Sequence, residues 1–366
     1  MRVLVVGAGP AGLYFSYLAK RAHPDWELRV VEQNRADATF GFGVVFSDRA
    51  LEFLREDDAA TYDLITPQME TWNDLTVVHR GTPVVIDGIG FAAIGRLKLL
   101  QLLQRQLASV GVRPDYETML GSPLDGYELV VAADGVNSMV RGWHDFGTRV
   151  SRLTNKFAWY GTTKLFDTLT QTFIANEHGT FNAHHYRHSP QMSTFVAECD
   201  RATWERAGFA AMDEGQTMRY LEKVFASALE GHRLISNKSV WRNFPNLRNQ
   251  RWFVGNTVLI GDALRTAHFS IGSGTRLAME DAIALAGAFS EHKRDIPAAL
   301  AAFEAARRPV VEKLVAAADA SGAWYERFPE HMNLAPREFA WSYIQRSGRI
   351  DPARLRKFSP RFVDGA

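Results

Sequence analysis

Three features of the sequence predict an α/β fold, in which a Rossmann-like parallel-sheet domain is interrupted by a β-rich antiparallel domain and closed by C-terminal helices. Short apolar runs suited to buried parallel strands recur at "RVLVV" (2–6), "ELRVVEQ" (27–33), "YELVVAADG" (127–135) and "NTVLIGDAL" (256–264). From about 151 to 244 the chain is instead rich in aromatic and β-branched runs such as "KFAWYGTTKLF" and "QTFIANEHGTFNAHHY", which read as antiparallel strands. Residues 273–320 are alanine-rich and helical in pattern.

The elements follow in order. "RVLVV" leads directly into the turn "GAGPAG", and "LYFSYLAKRA" continues at helical spacing. "ELRVVEQ" supplies the second strand and completes a β-α-β unit. "GRLKLLQLLQRQLASVG" (95–111) reads as an amphipathic helix before the next strand. The expected boundaries are a discontinuous nucleotide domain at 1–75, 95–150 and 245–310. A substrate domain takes 76–94 and 151–244, and a helical segment 311–366.

Composition narrows the class. Hydrophobic content of 46% and charged content of 23% are ordinary for a globular protein, and a formal charge of +1 favours neither nucleic acid nor an anionic membrane as partner. One cysteine, Cys199, excludes an intrachain disulfide and a cysteine-rich metal site, and it is expected to be an inert packed thiol. No stretch approaches the roughly 18 apolar residues of a membrane span. The chain opens on a strand with no room for a signal peptide, so a cytoplasmic protein is expected.

Gly7, Gly9 and Gly12 form G-x-G-x-x-G between a strand and a helix, with Pro10 and Ala11 inside the turn. Glycine lets the backbone turn tightly, approach a pyrophosphate and seat the helix on the strand. The helix N-terminus offers unpaired N–H groups to the phosphates. Glu32, beside Gln33, ends the second strand, where a carboxylate accepts from ribose hydroxyls. This turn says "dinucleotide" without separating FAD from NAD. An NAD-dependent dehydrogenase would, however, leave "ADGVNSMVR" (133–141) and "LIGDAL" (259–264) without a purpose. A flavin-binding electron carrier or sensor stays open, as does a hydroxylase.

These three ordered glycine motifs resemble those of the single-component FAD-dependent aromatic hydroxylases with the p-hydroxybenzoate hydroxylase fold. Several stretches resemble, more narrowly, the flavin parts of salicylyl-CoA 5-hydroxylase and anthraniloyl-CoA monooxygenase, and less fully a violacein-pathway hydroxylase. They are "NKFAWYGTTKLFD" (155–167), "MSTFVAECD" (192–200), "VWRNFPNLRN" (240–249) and "AHFSIGSGT" with "LAMEDAIALA" (267–286). The bifunctional members add a reductase domain. A chain complete at Ala366 would hydroxylate only.

The resemblance implies bound FAD, transient NADH or NADPH, O2 and a small aromatic substrate, with oxygen passing to the ring from a flavin C4a-hydroperoxide. A CoA thioester of salicylic or anthranilic acid, hydroxylated at the 5-position, is the implied substrate, and an indole or free aromatic acid the alternative. Asp134 and Gly135 are implied to serve FAD and the visiting nicotinamide, Gly261 and Asp262 the ribityl chain, and Arg96 the pyrophosphate. Gly272, Ser273, Gly274 and Thr275 are implied to bring backbone N–H groups to the flavin, with Phe42, Gly43 and Val44 facing it. His268, Phe269 and one of His184 and His185 are expected at the reacting ring, walled by Trp159, Tyr160, Trp241 and Phe244. No metal is called for.

The tail offers Arg346, Arg349, Arg354, Arg356, Lys357 and Arg361 to the phosphates of a CoA thioester. Arg265 stands where many members of the family have histidine. It is expected either to put a cation near the flavin or substrate entrance or to face solvent. A monomer or homodimer fits the chain equally.

Overall fold

The computed structural model describes residues 1–47, 51–123 and 125–365. All four predicted apolar runs lie side by side in one sheet, ordered Phe253–Val254, Thr257–Leu259, Leu129–Ala132, Arg2–Val6, Glu27–Val31. The last four pair in parallel, in the register Val3↔Leu129 and Arg2↔Glu27. The helices Pro10–Ala22, Arg96–Ser109 and Gly274–His292 pack together against this sheet, whose inner strands Leu129–Ala132 and Thr257–Leu259 are buried along their whole length, while Glu27, Leu28 and Arg29 of the edge strand stay at least partly exposed.

A second sheet runs Leu234–Ser236, Thr148–Thr162, Met192–Cys199, Gly179–Ser189, Leu169–Asn176, Leu75–His79, Thr82–Ile86, with Arg242–Asn249 also paired to Thr148–Thr162. It is antiparallel except where Leu169–Asn176 meets Leu75–His79. Gly43–Ser47, Phe91–Gly95 and Glu70–Trp72 form a small third sheet that joins the two layers.

The middle of the chain is less purely β than its aromatic content suggests. Helices at Arg201–Arg206, Glu214–Val224 and Ala226–Leu229 pack on the outer face of the second sheet. Asp200 caps the first of them, and Asp213 with Gln216 closes a capping box on the second. The inner face is covered by the long helix Ile296–Glu326 and by Pro336–Gln345. Phe173 contacts Trp324, Tyr325, Phe328, Phe339 and Tyr343 there. Among the described residues, no helix is long and apolar enough to cross a membrane.

Candidate active site

A cavity of about 1330 Å³ opens between the two sheets. That exceeds the roughly 300–1,000 Å³ of a usual ligand pocket and leaves room for a dinucleotide and a second small molecule. Its floor consists of the ends of the parallel strands. Gly9, Pro10, Ala11 and Glu32 line it at one end, and Gly261, Asp262, Gly272, Ser273, Gly274 and Thr275 line the middle. Gly7 and Gly12 sit behind the turn. A Cβ on Gly12 would lie 2.0 Å from the Gly7 carbonyl oxygen, so glycine is what lets the helix start against the strand end. Glu32 accepts from the Ala8 N–H at 2.9 Å and from Asn34 at 2.8 Å, which ties the second strand to the glycine turn. Gln33 does not reach the cavity wall.

The second and third motifs are bound to one another. Arg141 donates to the Ala263 carbonyl at 3.0 Å and to Val136 at 2.7 Å, so "ADGVNSMVR" and "GDAL" move as a unit. Asp134 caps its own loop through the N–H groups of Met139 and Val140 (2.8 and 3.2 Å), while Gly135 rather than Asp134 lines the cavity. Asp262 is exposed on the cavity surface, and the surrounding protein raises its pKa by desolvation against the pull of Arg265 and Arg96. Arg96 begins its helix on the cavity wall with Nε buried and without a partner. An enclosed guanidinium, a free carboxylate and a glycine cradle fit a dinucleotide carrying phosphate and a polyol chain.

Gly43 and Val44 line the cavity, but the Phe42 ring turns away from it and packs where a Cβ on Gly161 would be. Gly43 is held from the second sheet, donating to Thr194 Oγ1 at 2.9 Å and accepting from the Tyr186 hydroxyl at 3.1 Å.

Opposite the glycine floor stands an aromatic wall centred on Phe269. Its ring lies 4.9 Å from Phe157, 5.5 Å from Trp159, 5.2 Å from His184 and 6.0 Å from Phe244. Trp241 borders the cavity, but its ring is turned onto Phe209 of the outer cluster at 4.8 Å, and the indole N–H groups of Trp159 and Trp241 are buried without partners. Three expected residues are placed elsewhere. His185 points to the opposite face of the strand, stacked on Phe195 and bonded to Thr172, because side chains alternate along a strand. Tyr160 faces that same outer cluster. His268 lies behind Phe269, stacked on it at 4.4 Å and bonded through Nδ1 to Ser270.

Arg265 neither fronts the cavity entrance nor faces solvent. It forks onto Asp281 at 2.5 and 3.1 Å, and Asp281 also accepts from the Gly261 N–H at 3.0 Å and from Arg307 at 3.3 Å. Arg307 in turn donates to Glu280 at 2.8 Å. The cation that departs from the family pattern is a brace for the third glycine turn.

Burial withdraws four histidines from the solvent range. His184 and His185 are pushed down to about 3, and His188 and His268 to about 4. Glu198, also buried, moves up to about 7. Below pH 6.5 the unfolded chain takes up protons that the folded histidines refuse, so stability falls as pH drops towards 4. The Glu198 contribution has the opposite sign: it is present in acid and lost as pH rises through about 7. Four groups outweigh one. The urea midpoint of the holoprotein is therefore expected to be lower at pH 5 than at pH 6.5, and an equal or higher midpoint at pH 5 would contradict this account.

Glycine-bearing strand ends under one half of a cavity and an aromatic wall on a separate sheet define a dinucleotide-dependent oxidoreductase with its own substrate domain. Residues 127–318 match the FAD binding domain family. The chain is 42% identical over 378 residues to the salicyloyl-CoA 5-hydroxylase of a Streptomyces species, over 100% of this chain and 73% of that protein. It is 36% identical to the protodeoxyviolaceinate monooxygenase of Chromobacterium violaceum, over 96% of each chain. To the 3-hydroxy-4-methyl-anthranilyl-[aryl-carrier protein] 5-monooxygenase of Streptosporangium sibiricum it is 36% identical over 90% of each. In fold it matches 2-methyl-3-hydroxypyridine-5-carboxylic acid oxygenase with a TM-score of 0.72 at 17% identity, over 97% of this chain and 95% of that one. P. aeruginosa PqsL in complex with 2-aminobenzoylacetate matches at 0.70 and 22%, over 91% and 100%. The chain belongs to the FAD-dependent aromatic monooxygenases.

Proposed function

We propose that this monooxygenase hydroxylates the ring of an aryl thioester, para to an ortho hydroxyl or amino group, as in 5-hydroxylation of a salicyl or anthraniloyl thioester. Bound FAD, reduced by NADH or NADPH and reacting with O2, supplies the electrophilic oxygen. The chain's own task is to hold the cofactor, orient the ring and keep water out. Gly7, Gly9 and Gly12 with the helix Pro10–Ala22 would hold the pyrophosphate together with Arg96, and Glu32 a ribose. Asp262 would hold the ribityl chain, and the start of Gly274–His292 the flavin ring. Phe269, Trp159 and Phe244 would clamp the substrate ring.

One observation carries the thioester reading. Arg276, Arg349 and Arg354 converge on the cavity rim, close enough that Arg276 and Arg354 help depress the Arg349 pKa after its partial burial. Among the described residues neither Arg349 nor Arg354 meets a carboxylate with its guanidinium. Like charges gathered at a mouth suit a polyanionic handle such as the phosphates of a pantetheine carrier. Two of the relatives named above act on a substrate bearing CoA or a carrier protein. Arg346 also lines the cavity, donating to the Tyr343 and Ser270 carbonyls at 2.9 Å, whereas Arg356 pairs with Asp364 at 3.0 Å and Arg361 lies by Asp87 at 3.5 Å.

The double variant Arg349→Ala/Arg354→Ala is expected to raise KM for salicyloyl-CoA roughly tenfold or more. KM for S-salicyloyl-N-acetylcysteamine, which lacks the phosphates, should stay unchanged. Equal effects on both thioesters would remove the phosphate role. Turnover of the free acids or of an indole in preference to either thioester would move the enzyme towards the alternative substrate class, which the violacein-pathway relative represents.

A further inference from the structure

Behind the aromatic wall lies a buried polar pair that the cofactor site does not use. In the register His184↔Val196 and Asn182↔Glu198, His184 and Glu198 are diagonal neighbours on one face of two antiparallel strands. Nε2 of His184 lies 3.3 Å from Oε2 of Glu198. Glu198 is only 2% exposed, and no arginine or lysine pairs with it among the described residues. An isolated buried carboxylate is costly, and a strand core would ordinarily exclude it.

The partners on either side fix the polarity of this pair. Oε1 of Glu198 accepts from Nδ2 of Asn155 at 2.9 Å, and the second hydrogen of that amide goes to the Tyr325 carbonyl at 2.8 Å. Both amide hydrogens are committed, so Asn155 can present only a donor to Oε1 and leaves Oε2 for the imidazole. On the other side, the His184 ring lines the cavity between Phe269 and Tyr325, at 5.2 and 4.9 Å. With Nε2 taken by Glu198, Nδ1 is the ring nitrogen without a partner among the described residues.

We infer that Glu198 and His184 form a proton relay, in which Nδ1 of His184 takes the proton of a hydroxyl group on the substrate ring while Nε2 passes its own proton to Oε2 of Glu198. The inference rests on the aromatic-substrate reading above. The substrate O–H and the Nε2–H bonds break, the Nδ1–H and Oε2–H bonds form, and the electron pair stays on the substrate oxygen. The imidazole begins and ends neutral, and one negative charge moves from the carboxylate to the ring oxygen. An aryl oxide donates more electron density to its para carbon than a phenol does, which is what attack on an electrophilic oxygen requires.

Burial favours rest of the transferred proton on Glu198 rather than on the ring. The Arg346 cation opposes a charge on His184, and His184 stays neutral down to about pH 3. Burial raises Glu198 to about 7 against the pull of His268 and Asn155, so the relay has its carboxylate acceptor above that pH and the carboxyl is basic enough to keep the proton it receives. His184 is thus the group that touches substrate, and Glu198 is a positioning residue that selects its tautomer and stores the proton.

The test uses the FAD-loaded full chain with salicyloyl-CoA, which carries a ring hydroxyl, and anthraniloyl-CoA, which carries an amine that needs no deprotonation. Glu198→Gln would keep the hydrogen-bond frame. Its carbonyl must face Asn155, so its NH2 faces Nε2, and His184 is forced to present Nδ1–H. Turnover of salicyloyl-CoA is expected to fall on the order of 10²-fold in Glu198→Gln and in His184→Gln, and no further in the double variant. Turnover of anthraniloyl-CoA should stay within about threefold of wild type. Ultraviolet difference spectra without NAD(P)H should show bound salicyloyl-CoA ionising at a higher pH in both variants than in wild type. Equal loss with both thioesters, or an unshifted ionisation, overturns the relay. If wild type binds neither thioester, the substrate reading fails on its own, and 15N shifts of His184 in the holoprotein decide the relay. An unprotonated Nδ1 at pH 8 that becomes protonated in Glu198→Gln upholds it, and the same tautomer in both overturns it.

Discussion

Replacing Gly12 with alanine is expected to give a colourless protein. The added methyl would sit 2.0 Å from the Gly7 carbonyl oxygen and 3.1 Å from the Ala133 methyl. The nearer obstacle is backbone at the end of the first strand, not a side chain that can swing aside. The helix Pro10–Ala22 must therefore back away from the strand, and its first N–H groups leave the phosphate site with it. Overpacking of this kind costs about 1–3 kcal/mol in stability. The loss in flavin affinity should be larger than that, since the whole turn is displaced. Flavin absorbance per chain after purification should fall more than tenfold while far-ultraviolet circular dichroism is retained. A variant that kept stoichiometric flavin would show that the close approach at Gly12 is not what positions the turn.

The second large effect is expected at Asp281, through the buried charges that brace the third glycine turn. Asp281 is fully buried and accepts from Arg265, Arg307 and the Gly261 N–H. Asp281→Asn keeps the shape and removes the charge, leaving Arg265 buried with no counter-ion and Arg307 with Glu280 alone. Breaking a buried pair from one side costs about 3–5 kcal/mol. Urea unfolding should register that loss in full. Arg265→Met combined with Asp281→Leu should recover part of it, because the isolated cation is removed as well. Arg265→His should lose less than Asp281→Asn, since Arg307 still answers Asp281. Additive single and double effects would mean the pair is not coupled.

How much of this was legible in the sequence depends on the range of the interaction that decides each feature. Three of the four parallel strands were readable because each is a short apolar run ending in a glycine turn, the trace a buried strand leaves, while Glu27–Val31 at the edge was readable from its place in the β-α-β unit. The helices at 201–229 were passed over, although Asp200 and the Asp213–Gln216 spacing are local capping signals that identify them. His184 and His185 were not separable by pattern. Alternation says they face opposite ways, but both faces of their strand are covered, one by the cavity and one by the outer helices. Glu198 left no usable trace, since its meaning comes from the register that sets it beside His184. Arg265 was misjudged for the same reason, its partner Asp281 lying on a helix that only the tertiary fold brings back.

The order of the parallel sheet also bears on how the protein is made. The strand Leu129–Ala132 lies between Arg2–Val6 and Thr257–Leu259, so its outer edge stays bare until the latter has been synthesised. At 5–20 residues per second that interval is roughly 6–25 s, during which a fully apolar strand offers unpaired N–H and C=O groups to any passing chain. All of the second sheet except Leu75–His79 and Thr82–Ile86 emerges from the ribosome within this window. Asp262 and the turn at 272–275, which line the cavity, come later still. A nascent chain of this protein is thus a client for whatever in the cell shields edge strands, until Thr257–Leu259 arrives to pair with Leu129–Ala132.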